Sequence, residues 1–152
     1  MKVKMMTLLI LSLSGCEQSK PEIKELLIGS KWECQYLNEI VNVTVNTNYL
    51  EDGQFVSNSI VRTKLADNEK DAIVKISLSG SWYASGNEIT LKTITTDVLP
   101  INNSGQQTVG VIKDALVKVT TNEATKIRII NKDKYFDVSD GNKSTCLRRK
   151  DN

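Results

Sequence analysis

The sequence predicts an all-β domain of eight or nine antiparallel strands with one short helix before them. Val, Ile and Thr dominate after position 29, and turn residues recur roughly every eight to fifteen positions. Apolar and polar residues also alternate, most clearly where Val74, Ile76, Leu78 and Trp82 share one parity. Strands of this number and spacing are typical of a β-sandwich or a small barrel.

The N-terminal helix is predicted between Pro21 and Gly29. Proline suits the first helical position, and glycine is a frequent stop. Ile23, Leu26 and Leu27 would fall on one face of this helix. We therefore expect the helix to cover the end of an apolar core.

Four strands are expected in the first half of the domain. Each carries alternating apolar residues, and they contain Trp32–Tyr36, Val41–Val45, Phe55–Lys64 and Val74–Trp82. The segment Glu51-Asp52-Gly53 predicts a hairpin turn between the second and third strands. A charged loop is expected over Ala66–Asp71.

A β-bulge is predicted in the fifth strand. This strand follows the turn Ser85-Gly86-Asn87 and begins with Ile89 and Leu91 on one parity. The apolar parity then shifts by one position, to Ile94 and Val98. A shift of one in a period-two pattern is what an extra bulged residue produces.

The remaining elements are predicted from shorter patterns. Pro100–Gln107 is expected to be a polar, mobile loop, and a strand is expected over Ala115, Val117 and Val119. Lys126–Asn131 and Tyr135–Ser139 are expected to be two strands of a hairpin around Lys132-Asp133. The turn Asp140-Gly141 is expected to lead into the last strand, Ser144–Lys150.

The N-terminus resembles the lipobox signal of bacterial lipoproteins. Lys2 and Lys4 precede the apolar run Met5–Leu13, and the small residues Ser14-Gly15 lead into Cys16. The run is shorter than the roughly 20 residues that span a bilayer, and the alternative is a buried core segment. In the family, the cysteine receives a diacylglycerol and becomes the first residue after cleavage.

This resemblance implies three parts: a signal peptide over 1–15, a lipidated tether over 16–21 and a β-barrel domain over 22–152. Glu17 follows the cysteine, where an aspartate tends to retain such proteins in the inner membrane. The resemblance therefore implies a lipid-anchored envelope protein, on the outer membrane facing the periplasm rather than on the inner membrane.

Composition argues against several classes of function. The signal holds two of the 20 basic residues and none of the 18 acidic ones, which leaves 18 of each. A formally neutral domain has no basic footprint for nucleic acid. The chain has no histidine, so Ser-His-Asp and Cys-His catalysis are impossible and a metal site would lack imidazole. We expect no enzyme activity, metal or cofactor.

The three cysteines are expected to have different roles. With Cys16 acylated, Cys34 and Cys146 remain as an even pair in an oxidising compartment, where disulfides persist. A reactive or metal-binding pair is the alternative, but a C-x-x-C spacing is absent. A disulfide would join the first strand to the last, closing the sheet and removing its edges.

A disulfide between directly facing residues would also fix the strand register. If Cys34 lies opposite Cys146 on antiparallel neighbours, Trp32 lies opposite Arg148 on the same face. A guanidinium over an indole contributes roughly 0.5 to 2 kcal/mol. The alternative places Arg148 in solvent near a frayed end.

The domain resembles the small lipocalin-like lipoproteins of bacteria. The similar features are a short helix leading into Gly29-Ser30-Lys31-Trp32, a meander of hairpins, the segment Gly80–Leu91 and a basic residue on the last strand. In that family, the first tryptophan packs across the barrel floor beneath an arginine of the last strand, and Trp32 and Arg148 match these positions. The family places one residue between glycine and tryptophan, whereas this chain has two.

Three hypotheses about function follow. The first is a non-enzymatic lipoprotein whose barrel binds a small apolar ligand or an envelope partner, with contacts from Tyr36, Phe55, Trp82 and Tyr83. Core packing is the alternative role for these aromatic residues. The second is an inhibitor of lysozyme, or an immunity protein, that presents Ser79–Tyr83. The third is an accessory of an envelope complex, and the sequence does not separate it from the first or give the oligomeric state.

Overall fold

The computed structural model describes residues 22–65, 70–119, 123–138 and 144–150. Its eight antiparallel strands form one sheet that closes into a barrel, with neighbours in the order β1 to β8. The predicted fold class, a small antiparallel barrel with a short N-terminal helix, is confirmed. The signal peptide with Cys16, part of the Ala66–Asp71 loop and the Asp140-Gly141 turn lie outside the described residues.

The barrel is a meander with one helix before it and one inserted in it. In chain order the elements are α1 (Ile23–Leu27), β1 (Ser30–Leu37), β2 (Val41–Tyr49), β3 (Gln54–Thr63), β4 (Ala72–Ser85), β5 (Glu88–Pro100), α2 (Asn103–Val119), β6 (Glu123–Asn131), β7 (Lys134–Asp137) and β8 (Ser144–Arg149).

Two hairpin turns form where the sequence predicts them. Gly53 and Gly86 have positive φ angles of 80° and 58°, in the turns before β3 and β5. Glycine adopts this left-handed conformation without the steric penalty that a Cβ imposes. These local signals therefore set the connections β2–β3 and β4–β5.

The predicted β-bulge in β5 is confirmed. Ser79 pairs with Thr95 and Gly80 pairs with Thr93, which leaves Ile94 as the extra residue. A Cβ on Gly80 would lie 2.0 Å from the carbonyl oxygen of Lys92, so this position accepts only glycine. The bulge explains the shift in apolar parity along the strand.

The main core lies between α1 and the barrel interior. Leu27, Trp32 and Phe55 are fully buried, and the indole of Trp82 packs edge-on against Tyr49 with ring centroids 5.0 Å apart. As predicted, α1 buries one apolar face. This helix covers the end of the barrel at which β1 begins, and residue 22, the first described residue, lies at that end.

The first and last strands pair and close the barrel. Cys34 and Cys146 face each other in this pairing and are joined by a disulfide. The same register places Trp32 opposite Arg148. The barrel is closed, but the second half of β5 has no described strand on its outer side, because β6 pairs with β5 only over Glu88–Leu91.

The prediction for residues 100–119 is wrong. Pro100 ends β5, and the 17-residue helix α2 begins at Asn103, so this helix takes the place of most of the expected loop Pro100–Gln107 and of the whole expected strand over Ala115, Val117 and Val119. The β-branched residues Val117 and Val119 favour a strand by their intrinsic propensity. In proteins, however, most of the stability of a helix comes from tertiary packing rather than from propensity.

The helical signal was present but weak. Val109, Ile112 and Leu116 are spaced by three and four, which places them on one helical face. They pack against the inward-facing residues of β4 and β5, around Val74 and Val98. This contact forms a second apolar cluster beyond the main core.

The start of α2 is attached to the start of β4 by one side chain. The Asn102 Oδ1 atom accepts hydrogen bonds from the backbone N–H groups of Ile73 and Gly105, at 3.0 and 2.8 Å. Its Nδ2 atom donates to the carbonyl oxygen of Asp71 at 2.7 Å. Asn102 is therefore a helix cap that also fixes the helix to the sheet.

Substitution of the two glycines of α2 is expected to give opposite results. A Cβ on Gly105 would lie 2.2 Å from the carbonyl oxygen of Ile73, whereas one on Gly110 would meet nothing within 4 Å. Gly105→Ala should therefore force α2 off β4 and lower the free energy of unfolding by about 1 to 3 kcal/mol. Gly110→Ala should raise it by roughly 0.5 to 1 kcal/mol.

Urea unfolding of both variants provides the measurement, and each serves as the other's control. Hydrogen exchange should locate the Gly105→Ala effect in α2 and the first residues of β4. Equal stability of the two variants would contradict the close packing of α2 on Ile73.

Candidate functional site

A cavity of about 150 Å³ lies inside the barrel. Its apolar wall includes Val45, Ile89, Leu91 and Ile127, and the Cys34–Cys146 disulfide borders it. Polar lining comes from Thr47, Thr125 and the pair Asp137 and Ser144, which face each other on β7 and β8. The cavity has the mixed wall of a small-molecule site, although its volume is below the range usual for such sites.

Two buried phenols share the cavity. Burial raises the pKa of Tyr49 from 10.0 to about 12, and a hydrogen bond from Tyr135 partly opposes this shift. Burial also raises the pKa of Tyr135, and the negative charge of Asp137 adds to the effect. The Tyr135 hydroxyl oxygen lies 3.5 Å from the Cys34 Sγ atom. Both phenols are therefore neutral hydrogen-bonding groups at neutral pH.

Alkaline pH is expected to destabilise the barrel through these phenols. A pKa raised in the folded state means that the stabilisation is complete below the unfolded value of 10.0 and is lost as pH rises towards about 12. For Tyr49, the loss should approach about 1.4 kcal/mol per pH unit within this window. Urea unfolding between pH 8 and 11.5 measures it.

The double variant Tyr49→Phe, Tyr135→Phe is the control, because it should lack most of this alkaline dependence. Tyrosinate absorbance should rise in step with loss of structure in the natural protein. Ionisation of all four tyrosines before any unfolding would contradict burial of the pair.

The four aromatic residues predicted to contact a ligand or partner are not brought together. Phe55 and Trp82 are buried in the core beside α1, which favours the packing alternative for both. Tyr83 is 62% exposed on the outer face of β4, and Tyr36 is partly buried near the far end of β1. The sequence did not identify Tyr49 and Tyr135, because alternation alone does not locate a cavity.

The buried Trp32 and the partly buried Arg148 are in contact at the α1 end of the barrel. The guanidinium carbon of Arg148 lies 5.5 Å from the indole centroid. Its Nη2 atom donates to the carbonyl oxygen of Leu26 and, at 3.1 Å, to the Ser30 Oγ atom. The Ser30 hydroxyl in turn donates to the carbonyl oxygen of Leu27 at 2.6 Å. These bonds satisfy carbonyl groups at the end of α1.

The segment Ser79–Tyr83 lies within β4. Of these residues, Ser79, Gly80 and Ser81 pair with β3 on one side and β5 on the other. An inhibitory segment must project into an enzyme cleft, whereas the backbone here is held between two strands. The geometry therefore gives the inhibitor hypothesis no support.

The second half of β5 is an open sheet edge. Apart from the bulged Ile94, residues 92–100 pair with β4, and no described strand pairs with their other side. Ile94 is 71% exposed at the bulge, and Leu99 is also exposed. Val111 on α2 is 73% exposed. An unpaired edge with exposed aliphatic side chains can accept a strand from another chain.

Within the described residues, no group of three or more His, Cys, Asp and Glu residues could hold a metal ion. No helix in that part of the chain has the length and apolar character to cross a membrane.

Comparison with known proteins gives one family. The family model described as "Trans-membrane regulatory protein ToxS" matches residues 18–147, which include every described element except the last residues of β8. No curated protein sequence matches the chain.

Proposed function

Because the chain belongs to the family of the trans-membrane regulatory protein ToxS, we propose that its barrel regulates an envelope process by binding a partner protein. The family is one of membrane regulatory proteins, which agrees with a non-enzymatic role at the envelope. The partner is a second envelope protein that supplies an extended segment.

The open edge of β5 carries this proposal. Residues 92–100 offer backbone N–H and C=O groups that β4 does not use. A partner strand can satisfy these groups by β-addition, with main-chain hydrogen bonds giving affinity and side-chain pockets giving specificity. The bulge at Ile94 interrupts regular pairing, which limits self-association of an otherwise exposed edge.

Exposed aliphatic side chains next to this edge also favour it as the partner-binding surface. Ile94 and Leu99 project from β5, and Ile101 follows the strand immediately. Val111 lies on the helix that packs against β4 and β5. A partner that pairs with the edge would also cover part of this apolar surface.

Site-specific photo-crosslinking in intact cells tests the proposal. A photoreactive residue at Ile94 or Leu99 should crosslink to one discrete envelope protein. The matched control is the same residue at Leu147, which is exposed on β8 away from the open edge. Equal crosslinking from all three positions, or none from β5, would refute the β5 interface.

A second proposed role is binding of a small amphipathic ligand in the lipocalin-like interior. The apolar wall with Asp137 and Ser144 on one side supports it. Native mass spectrometry of the purified domain should show an added mass that disappears in Leu91→Trp, because the indole would fill the cavity. An unliganded natural domain taken directly from envelope extracts would count against this role.

We also propose that Cys16 carries the membrane anchor. On this proposal, residues 1–15 are removed, residues 16–21 form the tether, and residues 22–152 form a domain on the outer membrane facing the periplasm. The position of residue 22 at the α1 end supports it, because a tether that precedes residue 22 would hold this end of the barrel towards the bilayer. Firm anchoring requires more than one acyl chain.

Labelling of cells with a palmitate analogue tests the anchor. The natural chain should incorporate label and fractionate with outer membranes, whereas Cys16→Ser should do neither. Label-free protein of full precursor length in the inner membrane would refute acylation and support retention of the N-terminal segment.

A further inference from the structure

The helix α2 covers an apolar strip on the inner face of β4 and β5. Val74, Ile76 and Val98 form this strip, and they are 1%, 7% and 2% exposed. They make up a cluster of their own, separate from the main core beneath α1. The α2 residues that pack against them are Val109, Ile112 and Leu116. Removal of the helix would therefore expose the strip to solvent.

The start of α2 is held more firmly than the rest of the helix. At the start, Asn102 bonds to the backbone of both β4 and the helix, and a Cβ on Gly105 would collide with the carbonyl oxygen of Ile73. Further along, aliphatic side chains make the contact with the strip, and each of them is only partly buried. Val111 in the same stretch is 73% exposed. The helix is therefore fixed at a hinge and loosely packed beyond it.

The same helix lies beside the open edge of β5. It follows this strand after only Ile101 and Asn102, and it contacts both β4 and β5. A helix with its side chains is about 10 to 12 Å across, whereas neighbouring strands are about 4.8 Å apart. On the inner face, α2 therefore extends past β5 over the position that an added strand would take. Inward side chains of such a strand would contact the helix beside Val98.

On the basis of the β5 interface described above, we propose that α2 is an autoinhibitory element that competes with the partner strand. Docked, it covers the strip and obstructs the inner side of the open edge. Detached about the hinge at Asn102 and Gly105, it uncovers the strip, and inward apolar side chains of the partner take its place. Ile94, Leu99 and Ile101 are available to the partner in both states, because they are exposed while α2 is docked.

This competition has a thermodynamic consequence. A partner that binds only the detached form has an apparent affinity that is reduced by the detached fraction. Substitutions that weaken the docking of α2 should therefore strengthen partner binding, and substitutions that stabilise the helix should weaken it. If α2 were a platform on which the partner rests, both effects would have the opposite sign.

Hydrogen exchange of the purified natural protein tests whether α2 detaches. Amides of α2 beyond Gly110 should have protection factors roughly a hundredfold below those of β3, which is paired on both sides. Ile112→Ala should lower the protection of α2 by about threefold or more and leave β3 unchanged. Lys113→Ala is the matched control, because Lys113 is exposed on the same helix. Equal protection of α2 and β3 would show that the helix does not open separately, and would overturn autoinhibition.

Photo-crosslinking from Leu99 in intact cells tests the competition. Relative to protein abundance, Ile112→Ala should raise the yield of the partner crosslink by about twofold or more. Gly110→Ala should lower the yield by a similar factor, because alanine stabilises the helix. Lys113→Ala should leave the yield unchanged.

The pattern of yields separates the possible failures. The opposite order would make α2 part of the binding surface, and equal yields from all variants would show that α2 does not affect binding. Either result would overturn autoinhibition and leave the β5 interface in place. Absence of a crosslink from every variant and from the natural chain would refute the β5 interface itself, and autoinhibition with it.

Discussion

Reduction of the Cys34–Cys146 disulfide is expected to lower the free energy of unfolding by about 4 to 5 kcal/mol. The two cysteines are 112 positions apart in sequence, so the bond restricts almost the whole described chain in the unfolded state. It also joins β1 to β8, the pair that closes the barrel. A domain of this size has a total stability of roughly 5 to 15 kcal/mol, so the reduced protein should be marginal.

Thermal unfolding and urea unfolding, each with and without reductant, measure this loss of unfolding free energy. The double variant Cys34→Ser, Cys146→Ser is the control, since it should match the reduced natural protein and show no response to reductant. A natural protein whose stability is the same under both conditions would contradict the structural role of the bond.

Trp32→Ala is expected to lower the free energy of unfolding by about 3 to 5 kcal/mol. The indole is fully buried, packs against Tyr135 with centroids 4.8 Å apart and supports the guanidinium of Arg148. Its removal would leave a cavity beneath α1. It would also release the arginine that holds the carbonyl oxygen of Leu26.

Trp32→Phe is the control for this prediction. The Trp32 Nε1 atom has no hydrogen-bond partner among the described residues, so phenylalanine would lose volume but no bond. Its cost should be well below that of alanine. Arg148→Lys keeps the charge but loses the directed bonds, and should cost about 1 to 2 kcal/mol. Equal unfolding curves for the alanine and phenylalanine variants would contradict this packing.

The sequence predicts the β-meander well because each strand carries its own alternating pattern and each turn its own signal. The bulge at Ile94 is an example, since a shift of parity is visible without any tertiary contact. The disulfide and the facing of Trp32 and Arg148 also follow from the sequence, once two cysteines are placed on antiparallel neighbours. Local periodicity and covalent chemistry carry these predictions.

The helix α2 and the interior cavity could not be predicted from the sequence, because both depend on the tertiary structure. Residues 103–119 hold a mixed composition, and the apolar face of the helix becomes favourable only when the extended ends of β4 and β5 offer a surface to cover. Tyr49 and Tyr135 lie on β2 and β7, which meet only across the barrel interior. No pattern within either strand indicates that contact.

The sequence by itself located the eight strands of the barrel, two of their turns, the bulge and the cysteine pair, because these depend on neighbours along the chain, although it also predicted a strand within α2. The tertiary structure decided the second helix, the interior cavity and the open edge of β5. Each of these depends on residues that are distant in sequence and adjacent only after the barrel closes. Strand register and packing are cooperative properties of the whole sheet, and local propensity does not encode them.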